Sequence, residues 1–172
     1  LWEDLDHAAS KCERLRQMVQ QRARGVEMIR RFRAVPGIGL IRAATFYALV
    51  DTPHRFANKR KLWSYCGIGL AKRRSDQQAG PEHLTRRGNP RLKEVAKGAA
   101  VSAIAAGNNP FAEQHSELLG RGLDPGLARL TVSRSIISTL YEMWRRGRLY
   151  DPQFREEARR RWAERTAAQA AS

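Results

Sequence analysis

The sequence predicts an all-α protein: a long N-terminal coiled-coil helix followed by a compact helical domain that contains a helix–hairpin–helix motif. Three observations predict it. Apolar residues recur at spacings of three and four over most of the chain. Thr52-Pro53, Asn89-Pro90 and Asp124-Pro125 place a capping side chain directly before a proline, the chemistry of a helix start, and Asn108-Asn109-Pro110 breaks a helix. No segment shows the sustained period-two alternation of a half-buried strand.

The elements follow in order. Leu5, Ala8, Cys12, Leu15, Val19, Arg22, Val26 and Ile29 are spaced alternately by three and four residues. This is a heptad seam interrupted by Arg22, so residues 1–33 are expected to form one helix that self-associates as a homodimer or higher oligomer. Val35-Pro36-Gly37-Ile38-Gly39 then forms a tight turn, and Leu40 to Val50 is an apolar helix. Residues 58–66 read as a short helix with Leu62, Trp63 and Cys66 inward. Residues 67–88 carry Gly67, Gly69, Gly80, Pro81 and Gly88 without periodicity. They are expected to be a mobile loop of a length that is usually functional. Asn89-Pro90 restarts a helix to about Ala106, Ala-rich and therefore central. A helix over 111–120 follows. Asp124-Pro125 opens the last core helix, with Leu127, Leu130, Ile137, Leu140, Tyr141 and Trp144 at helical spacing. The expected units are 1–33, 34–151 and a basic tail from 152 to 172. The chain begins without Met inside a charged pattern, so a piece of a longer protein is expected.

Charge narrows the function. Of 172 residues, 32 are Lys or Arg and 17 are Asp or Glu, a formal net charge of +15. A phosphate-backbone binder needs this imbalance, since each neutralised phosphate releases counterions. A basic membrane-surface protein is the rival on charge alone, but no apolar stretch approaches the roughly 20 residues that span a bilayer. Cys12 and Cys66 form no Cys-x-x-Cys pair, and the four His residues have no zinc spacing, so no metal site is expected in this chain. Both thiols are expected to be reduced and structural.

Three features could carry chemistry. In the Pro36-Gly37-Ile38-Gly39 turn, Gly37 and Gly39 can leave amides open at a helix N-terminus, where a DNA phosphate is favoured. The alternative is a helical hairpin that only packs. Between residues 52 and 97 lie twelve cations: Arg55, Lys59, Arg60, Lys61, Lys72, Arg73, Arg74, Arg86, Arg87, Arg91, Lys93 and Lys97. Only Asp76, Glu82 and Glu94 oppose them. Of these cations, Lys72, Arg73, Arg74, Arg86, Arg87 and Arg91 bracket the glycine-containing loop and are the candidate nucleic-acid contacts. Finally, Ser75 lies in Lys72-Arg73-Arg74-Ser75-Asp76. A lone loop serine is ordinarily solvent-exposed, but neighbouring arginines could neutralise a phosphoryl transition state.

The ordered set Val35-Pro36-Gly37-Ile38-Gly39, Phe56, Leu62-Trp63-Ser64-Tyr65-Cys66-Gly67-Ile68, Ser75, Thr85-Arg86-Arg87-Gly88-Asn89-Pro90-Arg91-Leu92, Ala99-Ala100 and Tyr150-Asp151 resembles the C-terminal transposase domain of the insertion-sequence one-ten family, over roughly residues 30–154. The resemblance implies a DNA transposase in which Ser75 is the nucleophile that holds a DNA strand as a phosphoserine. It also implies a guide (bridge) RNA partner and a cytoplasmic, nucleoid-associated setting in a bacterium or archaeon. A separate RuvC-like domain would bind Mg²⁺ through its own acidic residues, so this chain alone is expected to bind nucleic acid without cleaving it. Three positions depart from the family pattern: Asp76 stands where glycine usually follows the serine, Leu70 where proline is usual, and Arg74 where a second serine is common. Two other classes compete. One is a non-catalytic helix–hairpin–helix module that only binds DNA; the other is a coiled-coil assembly segment whose basic face is incidental.

Overall fold

A computed structural model describes residues 2–71, 74–75, 78–79, 83–84 and 88–153; over 70–87 only backbone strand pairing is described. Among the described residues there are seven α-helices: α1 (Trp2–Arg24), α2 (Glu27–Phe32), α3 (Leu40–Val50), α4 (Lys59–Tyr65), α5 (Pro90–Ala106), α6 (Pro110–Gly120) and α7 (Pro125–Arg146). A single 3₁₀ turn, Pro53–Arg55, joins α3 to α4. The class is all-α, as the periodicity predicts.

The starts of the helices are written in the caps. Asn58, Asn89, Asn109 and Asp124 each accept two backbone N–H groups from the first turn of α4, α5, α6 and α7. These bonds satisfy amides that no intrahelical carbonyl can reach. Proline occupies the first turn of α5, α6 and α7, where its missing N–H costs nothing.

One boundary differs from expectation. The first 33 residues are two helices, with the break at Gly25-Val26. Glycine is a poor helix former, and the two halves of the heptad seam find different partners. Val26 and Ile29 turn into the domain core, whereas Leu5 and Leu15 remain half exposed.

The core forms around α5 and α7, which pack on each other and on α6; α3 packs on α5 as well. Ala96, Ala99, Ala100 and Ala103 give α5 a flat, fully buried face that brings neighbouring backbones close. An aromatic group closes one end. Phe32 meets Phe46 and Trp144 edge-on, each at 5.4 Å between ring centroids, and Tyr47 stacks on Trp144 at 5.1 Å. Tyr141 is buried on α7 and donates its hydroxyl to the Phe56 carbonyl at 2.8 Å, tying the 3₁₀ connection to the core.

Cys66 is fully buried and Cys12 exposed. Burial pushes the Cys66 thiol up to about 12, from an ordinary 9.0, because a thiolate there would lose its hydration. The folded chain therefore keeps this proton at a pH where the unfolded chain releases it. Stability is unaffected below pH 9 and falls as pH rises from there toward 12, by at most about 1.4 kcal/mol per pH unit. Thiol titration should find Cys12 reactive at neutral pH and Cys66 protected until the chain unfolds. Equal reactivity of the two would contradict this packing.

Candidate nucleic-acid interface

Two structural features carry the candidate residues: the turn between α2 and α3, and the arm, the segment that joins α4 to α5.

In the turn, Gly37 adopts φ +83°, a conformation that L side chains rarely take. A Cβ on Gly37 would lie 2.1 Å from the Ala99 carbonyl oxygen on α5. Its first role is thus close packing of the turn on α5. Arg42, one turn into α3, donates from Nη1 to the Gly37 carbonyl at 2.9 Å and to Ser102 Oγ at 3.0 Å, which fixes the turn to both helices. Gly39 is different. It is the N-cap of α3, it supplies no side-chain cap, and a Cβ there would meet nothing within 4 Å. The first intrahelical bond of α3 runs from Ala43 N to the Gly39 carbonyl, so the preceding amides have no helical acceptor. No acidic residue occupies this first turn. The N-terminus faces an open depression of about 330 Å³ lined in part by Arg33, Gly39 and Arg42. Open amides, the positive end of a helix dipole and two guanidinium groups favour an anion here. The sequence reading named Gly37 and Gly39 but missed Arg33 and Arg42. The signal was available for Arg42, since a residue early in a helix leans its side chain back over the preceding turn.

The arm begins where α4 ends. Gly67 takes φ +68° as its N–H bonds to Ser64 O at 3.1 Å, and Ile68 N–H reaches Trp63 O at 2.9 Å, the paired bonds of a Schellman stop. The two sides of the arm cross at its root: a Cβ on Gly88 would lie 2.5 Å from Gly67 Cα. Asn89 N–H bonds to Tyr65 O at 2.8 Å and Arg134 of α7 donates from Nε to Ile68 O at 2.7 Å. Trp63, under the Arg134 guanidinium at 5.8 Å, donates to Ser138 Oγ at 3.1 Å. Three helices, α4, α5 and α7, therefore hold the root around the buried Ile68.

Beyond the root the backbone forms two short antiparallel ladders. β1 (Leu70–Ala71) pairs with β4 (His83–Leu84), and β2 (Arg74–Ser75) pairs with β3 (Gln78–Ala79). The pairs are nested, as in a hairpin, and Ser75 opposite Gln78 is the innermost of them. Where the sequence suggested an irregular loop, the described residues 70–71, 74–75, 78–79 and 83–84 pair as extended backbone. Two-residue ladders are too short to leave an alternating pattern. Lys72, Arg73, Arg86 and Arg87 lie outside the described residues, as do residues 76–77, 80–82 and 85 of the expected mobile loop and the tail from 154. Of Arg74 and Ser75 only the strand pairing is described.

Arg91 is exposed in the first turn of α5, immediately after the arm returns. Lys59, Arg60 and Lys61 are exposed in the first turn of α4, which leads into the arm. Cations at a helix N-terminus oppose its dipole, typically at a cost of about 0.3–1 kcal/mol each. Both helix starts are therefore positively charged. Among the described residues no three His, Cys, Asp or Glu side chains group to hold a metal ion, and no helix is long and apolar enough to cross a membrane. The donor set for Mg²⁺ is thus not found among the described residues.

The sequence that builds this framework matches a known family of proteins. A transposase family model, that of the Transposase IS116/IS110/IS902 family, matches residues 29–116, from the start of the core through the arm into α6. The chain belongs to that family. It is 28% identical over 119 residues to the "Insertion element IS116 uncharacterized 44.8 kDa protein" of Streptomyces clavuligerus, covering 69% of this chain and 30% of that protein. It is 30% identical over 120 residues to the "Insertion element IS110 uncharacterized 43.6 kDa protein" of Streptomyces coelicolor, covering 69% of this chain and 29% of that protein. The chain thus spans about three tenths of the length of these relatives.

Proposed function

We propose that this chain is the DNA-handling part of a transposase and supplies Ser75 as the nucleophile for cleaving and rejoining strands. The reading is supported chiefly by one observation: Ser75 stands at the innermost pair of an arm whose root is locked by the Gly67–Gly88 crossing and the Arg134–Ile68 bond. A reactive hydroxyl gains from placement on a scaffold that fixes its approach.

In the proposed step, Ser75 Oγ attacks a backbone phosphorus and the bond from phosphorus to one deoxyribose oxygen breaks. The serine proton ends on that oxygen, and the strand is held as a phosphoserine ester. The reverse attack by a deoxyribose hydroxyl rejoins a strand and restores the serine. One phosphodiester is exchanged for another, so no outside energy source is required. Lys72, Arg73, Arg74, Arg86 and Arg87 are proposed to stabilise charge on the phosphoryl oxygens. The α3 N-terminus and Arg91 would hold flanking phosphates without reading bases. Mg²⁺ chemistry belongs to a RuvC-like domain outside this chain, and target choice to pairing with a guide RNA.

The decisive experiment is mass spectrometry of the full-length transposase trapped with its RNA and DNA substrate. A DNA adduct on the peptide containing Ser75 is expected; an adduct on another residue would overturn the assignment. The second reading, a DNA-binding module without chemistry, draws on the open α3 N-terminus, which would bind phosphate with or without Ser75. It predicts no adduct at all.

The binding half is separately testable. With about six phosphate contacts, affinity of this chain for duplex DNA should fall about a thousandfold between roughly 50 and 200 mM salt. Affinity insensitive to salt would mean that the net charge of +15 is not directed at a polyanion.

A further inference from the structure

We infer that Arg134, on α7, is a positioning residue for strand transfer: given Ser75 as the nucleophile proposed above, Arg134 sets the direction in which the serine-bearing segment starts. Arg134 lies beyond residues 29–116 of the family match. Val132, Ser133, Ile136 and Ile137 around it are buried, so close packing fixes its backbone. Its guanidinium carbon lies 5.8 Å from the centre of the Trp63 ring, within cation–π range, and Nε donates to the Ile68 carbonyl at 2.7 Å. Ser138, one turn further along α7, accepts the Trp63 indole N–H at 3.1 Å and donates to the Arg134 carbonyl at 2.7 Å. α7 thus holds one residue inside α4 and one just past its end.

Ile68 is where the chain turns from α4 toward β1. Its side chain is fully buried, and its N–H is held by the Trp63 carbonyl at 2.9 Å. Those two contacts leave open the rotation between its Cα and its carbonyl carbon. The peptide unit is planar, so turning that carbonyl turns Gly69 with it. The bond from Arg134 fixes this rotation, and its charged donor makes it stronger than a neutral pair. Gly69 itself runs close against α4, since a Cβ there would lie 2.7 Å from Ser64 Oγ. Seven residues of chain lead from Ile68 to Ser75, an extended reach of up to about 23 Å. Over that reach a tilt of about 3° displaces the far end by about 1 Å, and a misplacement of about 1 Å can cost about a hundredfold in rate. Tyr141 makes a similar bond from α7 to the Phe56 carbonyl, but Phe56 leads into α4 and away from Ser75. The two bonds differ in what lies downstream of the carbonyl they hold.

The test measures single-turnover formation of the Ser75–DNA adduct by the full-length transposase, with its RNA and saturating DNA, at a temperature where every variant is folded. Arg134→Met keeps the bulk of the side chain and removes the donor. It should slow the adduct about a hundredfold while DNA affinity stays within about twofold of the parent. Arg134→Lys keeps a charge and a donor and should recover about tenfold of that loss. Tyr141→Phe, which removes the other bond from α7 to a backbone carbonyl, should lower the melting temperature and leave the adduct rate at the parental value. A parental rate in Arg134→Met, a loss of rate matched by an equal loss of affinity, or an equal slowing in Tyr141→Phe would overturn the proposal while leaving Ser75 as the nucleophile. Should Arg134→Met fail to fold, Arg134→Lys carries the comparison: about tenfold slowing with parental affinity supports the proposal, and a parental rate overturns it. An adduct found on another residue in the parent ends the Ser75 reading itself, and the role of Arg134 with it.

Discussion

Substituting Ser75 with alanine in the full-length transposase is expected to abolish the protein–DNA adduct and reduce strand joining by on the order of 10⁴–10⁶-fold, the usual cost of removing a covalent nucleophile. The loss should be confined to chemistry. Ser75 is paired through its backbone with Gln78, and alanine makes the same backbone bonds, so the ladder and the arm are retained. DNA affinity and thermal stability should match the parent. This combination separates the candidate mechanisms. A serine that only decorates the arm would lose nothing on substitution. A serine that shapes the arm would lose affinity along with joining. Only a nucleophile loses joining with affinity intact. The check is a gel-based joining assay alongside a binding titration on the same preparations; joining at parental rates would end the nucleophile assignment.

Substituting Gly37 with alanine is expected to cost about 2–4 kcal/mol of stability, from a left-handed backbone that alanine resists and from overpacking against α5. The new methyl group would sit 2.1 Å from the Ala99 carbonyl oxygen and 3.1 Å from Ala103 Cβ. Neither neighbour can yield cheaply, since one is helix backbone and the other lies on the fully buried face of α5. Relief requires the whole turn to lift, which would break the Arg42 bond to the Gly37 carbonyl and shift the start of α3. Gly39→Ala provides the contrast. Its backbone is extended and its surroundings are open, so only a small change in stability is expected. Chemical denaturation of both variants checks the pair. Equal tolerance would mean that the turn does not pack on α5 as described. If Gly39→Ala spares stability but weakens DNA binding, the α3 N-terminus gains support as a phosphate contact.

How much of this could be read from the chain depends on whether the determining interaction is local. Helix starts are local. Asn58, Asn89, Asn109 and Asp124 bond amides two and three residues away, so their sequence pattern places α4 to α7 nearly to the residue. Central placement of the Ala-rich α5 was also legible, because small side chains announce close backbone approach. The break at Gly25 was not. The heptad continues through it, and only the domain core, by drawing in Val26 and Ile29, decides that the seam divides there. In the candidate site, the order of Pro-Gly-Ile-Gly, Ser75 and the flanking arginines was plain, as was the family they resemble. The division of labour between two glycines was not: Gly37 packs on Ala99, 62 positions further along the chain, while Gly39 leaves a helix end open.

The sequence by itself thus determined the all-α class, the helix starts and the basic charge, since each depends on residue type or on near neighbours; Ser75 was singled out as a candidate by the family that its motifs resemble. Tertiary structure alone decided where the first helix stops and which glycine is a packing residue. It also decided how the serine-bearing arm is rooted between Gly67, Gly88 and Arg134. Those outcomes depend on contacts between segments far apart in sequence, where steric fit selects one arrangement among several that the local pattern permits equally well.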